Sequence, residues 1–240
     1  MVERALVTLR TLTDDYEVVV VHNGSTDHTS DVLAGLARTY PDELRVMDYP
    51  YPLGYGGALR VGFASCTKDL IFYTDGDGQY DPSELATLYS ALTPDIDMVN
   101  GYKIGRGDPL YRIIIGRVYH WGVKLLFGLH LRDVDCDFRL MRRTIFDKIM
   151  LKSSTGVICV ELMKKVQDAA FRIAQVPVHH YNRSYGSSQF FNFPRIYRTL
   201  KALFNLWVEL VVQKKLGRVA EPTAAPALGL PETAPKHRPS

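Results

Sequence analysis

Short apolar runs alternate with amphipathic stretches along most of the chain. Val2, Ala5, Leu6, Leu9 and Leu12 share one helical face. Glu17-Val18-Val19-Val20-Val21 predicts a strand buried on both faces of a parallel sheet. Asn23-Gly24-Ser25-Thr26-Asp27 then supplies a turn with several N-cap residues, leading into a helix through Val32, Leu33, Leu36 and Ala37. Leu44–Met47 reads as a second strand, Gly54-Tyr55-Gly56-Gly57 opens a helix to about Ser65, and Leu70–Thr74 is a third strand. This alternation predicts a doubly wound α/β architecture, a mostly parallel sheet flanked by helices. Ligands of such sheets bind beyond the carboxyl ends of the strands, where the turns at 22–27 and 75–81 lie.

Further on, residues 112–131 predict a strongly apolar helix with Arg117, His120 and Lys124 on one stripe. A helix around Val157–Asp168, a strand near Arg172–Tyr181 and a polar loop Arg183–Gln189 follow. A long helix begins after Pro194, with Ile196, Leu200, Phe204, Trp207 and Val211 as its apolar stripe. From Arg218 to Ser240 the chain is rich in Pro, Ala, Glu and Thr and lacks aromatics, which predicts a disordered tail. The expected division is one domain over 1–217, closed by an amphipathic helix over 190–217, and the tail 218–240.

The 240 residues are 46% hydrophobic and 23% charged, the balance of a soluble globular domain. A net charge of +3 is too small to argue for nucleic acid. Cys66, Cys136 and Cys159 are scattered without Cys-x-x-Cys spacing, which predicts reduced thiols in a cytosolic protein. The N-terminus has no signal-peptide pattern, and no run of apolar residues is long enough to predict a membrane span.

The chemistry concentrates in Asp75-Gly76-Asp77-Gly78-Gln79-Tyr80-Asp81-Pro82. Two carboxylates two residues apart at a strand end point the same way. Gly76 and Gly78 permit a sharp turn and leave room for a bulky ligand. Hard oxygen ligands suit Mg²⁺ or Mn²⁺ bridging to substrate phosphates; the alternative is an ordinary polar β-turn. Gly54-x-Gly56-Gly57 does not match the dinucleotide fingerprint. His179 and His180 face opposite sides of a strand and read as structural.

Taken together, these motifs resemble family 2 glycosyltransferases of the nucleotide-diphospho-sugar transferase (GT-A) fold, in the dolichol-phosphate mannose synthase and polyprenyl-phosphate glycosyltransferase branch. The similar segments are Val20–Asp27, Gly54–Leu59, Asp75–Pro82, Gly101-Tyr102-Lys103, Asp133-x-x-Cys136-x-Phe138-Arg139, and Val176-Pro177-Val178 leading to Arg183-x-x-Gly186-x-Ser188. The likeness covers roughly residues 1–210. It implies that Asp75 and Asp77, with Gln79 nearby, hold Mg²⁺ or Mn²⁺ on a GDP- or UDP-sugar. It implies that His22, Asn23, Gly24 and Ser25 meet the nucleoside, beside Gly76, and that Lys103 and Arg183 meet the diphosphate, with Gln189 close by. The 112–131 region and the final helix would face a membrane and a polyprenyl phosphate, making the protein peripheral at the cytoplasmic face. For a hydroxyl acceptor Asp133 is the candidate base, with a capping or salt-bridging role as its alternative.

The basic stripe Arg117, His120 and Lys124 reads either as a solvated face or as lipid-phosphate contact. Trp207 with Arg198, Lys201, Lys214 and Lys215 favours an interfacial final helix over plain core packing. Glu161 could assist the acceptor site, but a surface helix carboxylate is the default expectation.

Four departures from the family pattern stand out. The resemblance begins after the family's first strand, which carries Pro-x-Tyr-Asn-Glu, so the expectation is a misplaced start or a truncated relative. His22-Asn23 replaces an Asp-Asp pair, Gln189 stands where Lys is common, and Asp137 replaces a usual Gly.

Overall fold

The computed structural model describes residues 1–105, 110–182 and 193–216. In chain order the first half contains α1 (Val2–Leu12), β1 (Val18–Asn23), α2 (Thr29–Thr39), β2 (Leu44–Tyr49), α3 (Tyr55–Ser65), β3 (Leu70–Thr74) and α4 (Leu85–Ala91). The second half contains β4 (Met98–Ile104), α5 (Leu110–Phe127), β5 (Phe138–Arg142), α6 (Ile145–Lys148), α7 (Ile158–Asp168), β6 (Ile173–His179) and α8 (Phe193–Trp207), which runs on into a π-helical turn over Val208–Gln213. The Arg183–Gln189 loop and the tail from 218 lie outside the described residues.

β1 pairs in parallel with β2. The remaining strands form a second sheet in the order β3-β5-β4-β6. β4 and β6 are parallel, while β5 runs antiparallel to both β3 and β4. The α/β architecture therefore stands, with mixed pairing at its centre. Alternation along the strands splits the core in two, as the pleat requires. Ile71, Tyr73, Met98 and Met141 face one cluster with Phe127, Met163 and Leu203, while Val99, Phe138 and Leu140 face the other with Leu88 and Val178.

β1 is less buried than its apolar run predicts: Val18–Val21 are only half-buried. α3 packs on this strand, with Gly62 close to Val21. Among the described residues, however, β2 is the only strand neighbour of β1, and a two-stranded sheet covers little of its own sides. β4 through β6 bring the chain's other apolar runs to a fuller core.

Glu161 is buried in α7, not at the surface. Its oxygens accept the backbone N–H groups of Lys152 (2.9 Å) and Ser153 (2.8 Å), and Lys165 pairs with it. Three donors offset the cost of burying the charge. The loop held in this way packs on the start of α3, where Gly56 N–H donates to Ser154 O at 2.9 Å. A Cβ on Gly56 would lie 2.4 Å from Ser153 O and 2.8 Å from Thr155 O. The Gly54–Gly57 glycines thus serve a backbone seam, not a dinucleotide.

Gly56→Ala should cost about 1–3 kcal/mol, because the obstructing atoms are backbone. Gly35→Ala, inside α2 with nothing within 4 Å of the new methyl, should gain about 0.5–1 kcal/mol. Urea unfolding midpoints of the two variants check both signs.

Candidate functional site

The carboxyl end of β3 leads into the acidic turn, and the entry to β5 meets it through Asp137. Tyr73 and Asp75 share one face of the β3 run. Asp75 Oδ1 accepts the Tyr55 hydroxyl at 3.0 Å, and that hydroxyl lies 2.6 Å from the Tyr73 hydroxyl. Tyr73 in turn donates to Asp137. Asp77 Oδ1 accepts Gln79 N–H at 3.0 Å, closing the turn that Gly78 passes at φ +78°. Gly76 has open space where a side chain would stand. The Gln79 amide donates to Tyr181 O at 3.2 Å, and Gln79 O accepts Tyr181 N–H at 2.9 Å, pinning the turn to the chain after β6.

Burial pushes the Asp75 carboxyl up to about 7, helped by the charges of Asp137 and Asp77. Its Oδ2 has no hydrogen-bond partner among the described residues. A carboxylate this poorly compensated, next to a second one, fits a divalent cation. Among the described residues no group of three or more His, Cys, Asp or Glu side chains forms a metal cage. Two carboxylates alone match the habit of Mg²⁺, which takes one or two from the protein and the rest from substrate phosphates and water.

Lys103, at the end of β4, is nearly enclosed. Its ammonium donates to Asp135 O and lies 3.9 Å from Asp133 Oδ2. Burial lowers its affinity for the proton, but Asp133 and the other acidic neighbours outweigh this and hold it above the ordinary lysine value. Asp133 accepts the backbone N–H of Lys103 (3.3 Å) and of Asp135 (3.1 Å). Burial raises Asp135 to about 6. These groups border a cavity of about 560 Å³ that Arg117, His120, Lys124 and Arg132 also line. Lys103 links the two halves, since its charge also bears on Asp75.

The 22–25 turn is engaged elsewhere. His22 is buried, with Nδ1 2.5 Å from Asp48 Oδ1 and Nε2 without a partner among the described residues. Asn23 accepts Leu53 N–H at 2.6 Å and donates to Gly54 O at 3.3 Å, bracing the loop into α3. Gly24 has φ +67°, and a Cβ there would lie 2.7 Å from Pro52 N. Ser25 is exposed. Arg183 and Gln189 lie outside the described residues. Sequence reading passed over Tyr55, Asp135 and Arg132 as site residues. For Asp137 the signal was present, a carboxylate where the resembling family has Gly.

α5 and α8 expose apolar side chains. Val118, Trp121 and Leu125 of α5 and Tyr197, Leu200 and Phe204 of α8 are solvent-facing. Trp207 Nε1 donates to Leu126 O at 2.9 Å, joining the two helices. Among the described residues no helix is long and apolar enough to cross a membrane.

The profile of the family described as Glycosyl transferase family 2 matches residues 1–150. An undecaprenyl-phosphate 4-deoxy-4-formamido-L-arabinose transferase from Yersinia enterocolitica is 26% identical over 211 residues, 88% of this chain and 61% of the relative. The chain thus spans about three fifths of the length of such curated relatives. Glucosyl-3-phosphoglycerate synthase from Mycobacterium tuberculosis, solved with Mn²⁺ and UDP-glucose, superimposes with a TM-score of 0.63 at 18% identity, over 87% of this chain and 74% of that one. The same enzyme solved with Mg²⁺ and UDP gives 0.60 at 18% identity, over 86% and 73%. The shared feature is the GT-A fold.

Mn²⁺ held by Asp75 would need that carboxylate ionised, so on this expectation its affinity should fall about tenfold from pH 8 to pH 6, across the raised carboxyl value. Electron paramagnetic resonance of free Mn²⁺ at the two pH values reads this directly.

Proposed function

This chain belongs to glycosyl transferase family 2, and on that premise we propose that it transfers a sugar, with inversion, from a nucleotide-diphosphate sugar to a polyprenyl phosphate. The observation that carries the acceptor class is that Arg117, Lys124 and Arg132 line one cavity with Lys103. Such a lining suits an anionic phosphate. Support also comes from the undecaprenyl-phosphate acceptor in the name of the Yersinia relative.

The residues divide the work as follows. Asp75 and Asp77 would hold Mn²⁺ or Mg²⁺, which when bound offsets charge developing on the departing diphosphate. Lys103 sits between the acidic turn and the cationic cavity, where it can meet the same oxygens. An acceptor phosphate oxygen attacks the anomeric carbon as the bond to the nucleoside diphosphate breaks. That oxygen is already anionic, so no proton need be removed.

The alternative, a saccharide hydroxyl acceptor, requires Asp133 as base. Its carboxylate already accepts two backbone N–H groups and lies beside Lys103, a pattern that favours the structural role. A non-catalytic relative is the remaining alternative. The exposed faces of α5 and α8, flanked by Arg198 and Lys201, suit peripheral contact with an anionic membrane surface. On this reading the acceptor lipid would reach the cavity from that side.

Calorimetry with UDP and GDP should show Mn²⁺-dependent binding that Asp77→Ala abolishes, and the preferred nucleotide reports the base. A folded protein that binds neither leaves the non-catalytic reading. Flotation with vesicles containing anionic lipid should recover wild type and lose most of a Leu200→Asp/Phe204→Asp variant. Equal recovery would remove the membrane contact.

A further inference from the structure

We infer that Asp135 meets the acceptor phosphate as a neutral carboxylic acid, donating its O–H to a phosphate oxygen, so that a phosphate monoester binds together with one proton. The inference deepens the acceptor reading of the cavity lined by Lys103, Arg117, Lys124 and Arg132, and rests on it.

Asp135 lines that cavity, and its backbone is already committed. Its N–H donates to Asp133 Oδ1 at 3.1 Å, and its carbonyl accepts the Lys103 ammonium. Its carboxyl is not committed: among the described residues no hydrogen bond or ion pair reaches it. The Lys103 ammonium lies 3.9 Å from Asp133 Oδ2 instead. Asp133 has both oxygens engaged, Oδ1 by Asp135 N–H and Oδ2 by Lys103 N–H at 3.3 Å. Of the two carboxyl groups that line the cavity, Asp135 is therefore the one left for a ligand.

Charge decides which form of Asp135 meets that ligand. Burial raises it to about 6; Lys103 on β4 and Arg139 on β5 pull it down, while Asp133 and Asp137 on its own loop push it up. From α5, Tyr119 feels its charge, and Arg117, His120 and Lys124 line the same cavity, with Arg132. A phosphate dianion brought beside the carboxyl adds negative charge and drives the value further up. The acid then has one O–H to donate, to one phosphate oxygen, and the other oxygens are left to Lys124 and the arginines. An unprotonated oxygen forms the bond to the anomeric carbon, and the nucleoside diphosphate leaves with the electron pair of the bond that breaks. The product is a phosphodiester with one negative charge fewer, so Asp135 gives its proton back to solvent. Asp135 thus favours the monoester acceptor over the diester product.

The test is calorimetric titration of the full chain with farnesyl phosphate, a short polyprenyl phosphate monoester, with thermal midpoints recorded alongside. Two buffers of different ionisation enthalpy at pH 7.5 count the protons taken up. The second ionisation of a phosphate monoester lies near about 6, so the probe arrives as the dianion. Free Asp135 is mostly ionised at this pH and gains its proton on binding. Wild type should therefore take up most of one proton per phosphate, and its affinity should fall about fourfold from pH 7.5 to pH 9 as the bound acid ionises. Asp135→Asn keeps a donor and removes the titration, so it should bind without proton uptake and equally at both pH values. Arg132→Ala should weaken binding about tenfold, the loss of one charge-assisted contact. Wild type that binds without taking up a proton overturns the inference, even where Asp135→Asn fails to fold. So does an uptake in Asp135→Asn equal to that of wild type. In either case an Arg132→Ala variant that has lost binding shows that the acceptor reading survives. Wild type that does not bind farnesyl phosphate, or Arg132→Ala that binds it undiminished, removes the acceptor reading and the inference together.

Discussion

A fully buried guanidinium holds the site together. Arg139 on β5 donates from Nε to Asn100 Oδ1 at 2.8 Å and from Nη2 to Val134 O at 2.5 Å, and lies over the Tyr73 ring. Asn100, equally buried on β4, passes the restraint on by donating to Asp133 O at 2.8 Å. The loop carrying Asp133, Asp135 and Asp137 is thereby fixed to the two central strands. A buried charge with an incomplete partner set costs several kcal/mol, and one Arg139 nitrogen has no hydrogen-bond partner among the described residues. The acidic groups around it are the compensation, so the charge and the loop depend on each other.

That arrangement leaves an imbalance. Asp75, Asp77, Asp133, Asp135 and Asp137 gather at the strand ends, while Lys103 and Arg139 are the cations among them. Asp75 and Asp135 are both raised well above the ordinary carboxyl range, chiefly by burial and further by these acidic neighbours. A site with surplus negative charge is poorly suited to receive a diphosphate directly, but well suited to receive one together with a divalent cation. The neighbouring cavity is lined by Arg117, Lys124 and Arg132 as well as by Asp133 and Asp135. Lys103, touching both, is where they meet.

Most regular elements could be read from periodicity. α1, α3, α7 and α8 follow their apolar stripes, and β2, β3 and β6 their short apolar runs. β5 was missed because Phe138–Arg142 carries two arginines and no turn signal before it. One of those arginines is buried, which no hydropathy pattern announces. α4 was missed because its helix is short and starts from a Pro-containing turn, capped where Asp81 accepts Ser83 N–H at 3.0 Å. β1 was read as fully buried because apolar content reports what a strand can bury, not how many neighbours it has.

The sequence by itself determined the α/β architecture and the Asp75–Asp77 turn, because side-chain alternation and turn chemistry are local properties of a few consecutive residues. Its ordered motifs also carried the family, since spacing along the chain survives divergence better than any single residue. Only the tertiary structure decided that Asn23 braces a loop, that Glu161 is a buried clamp and that Arg132 joins Arg117 in lining one cavity. It alone gathered Asp75 and Asp137 around the hydroxyls of Tyr55 and Tyr73. Those roles rest on contacts between segments far apart in the chain, and such contacts exist only once the core has closed around them.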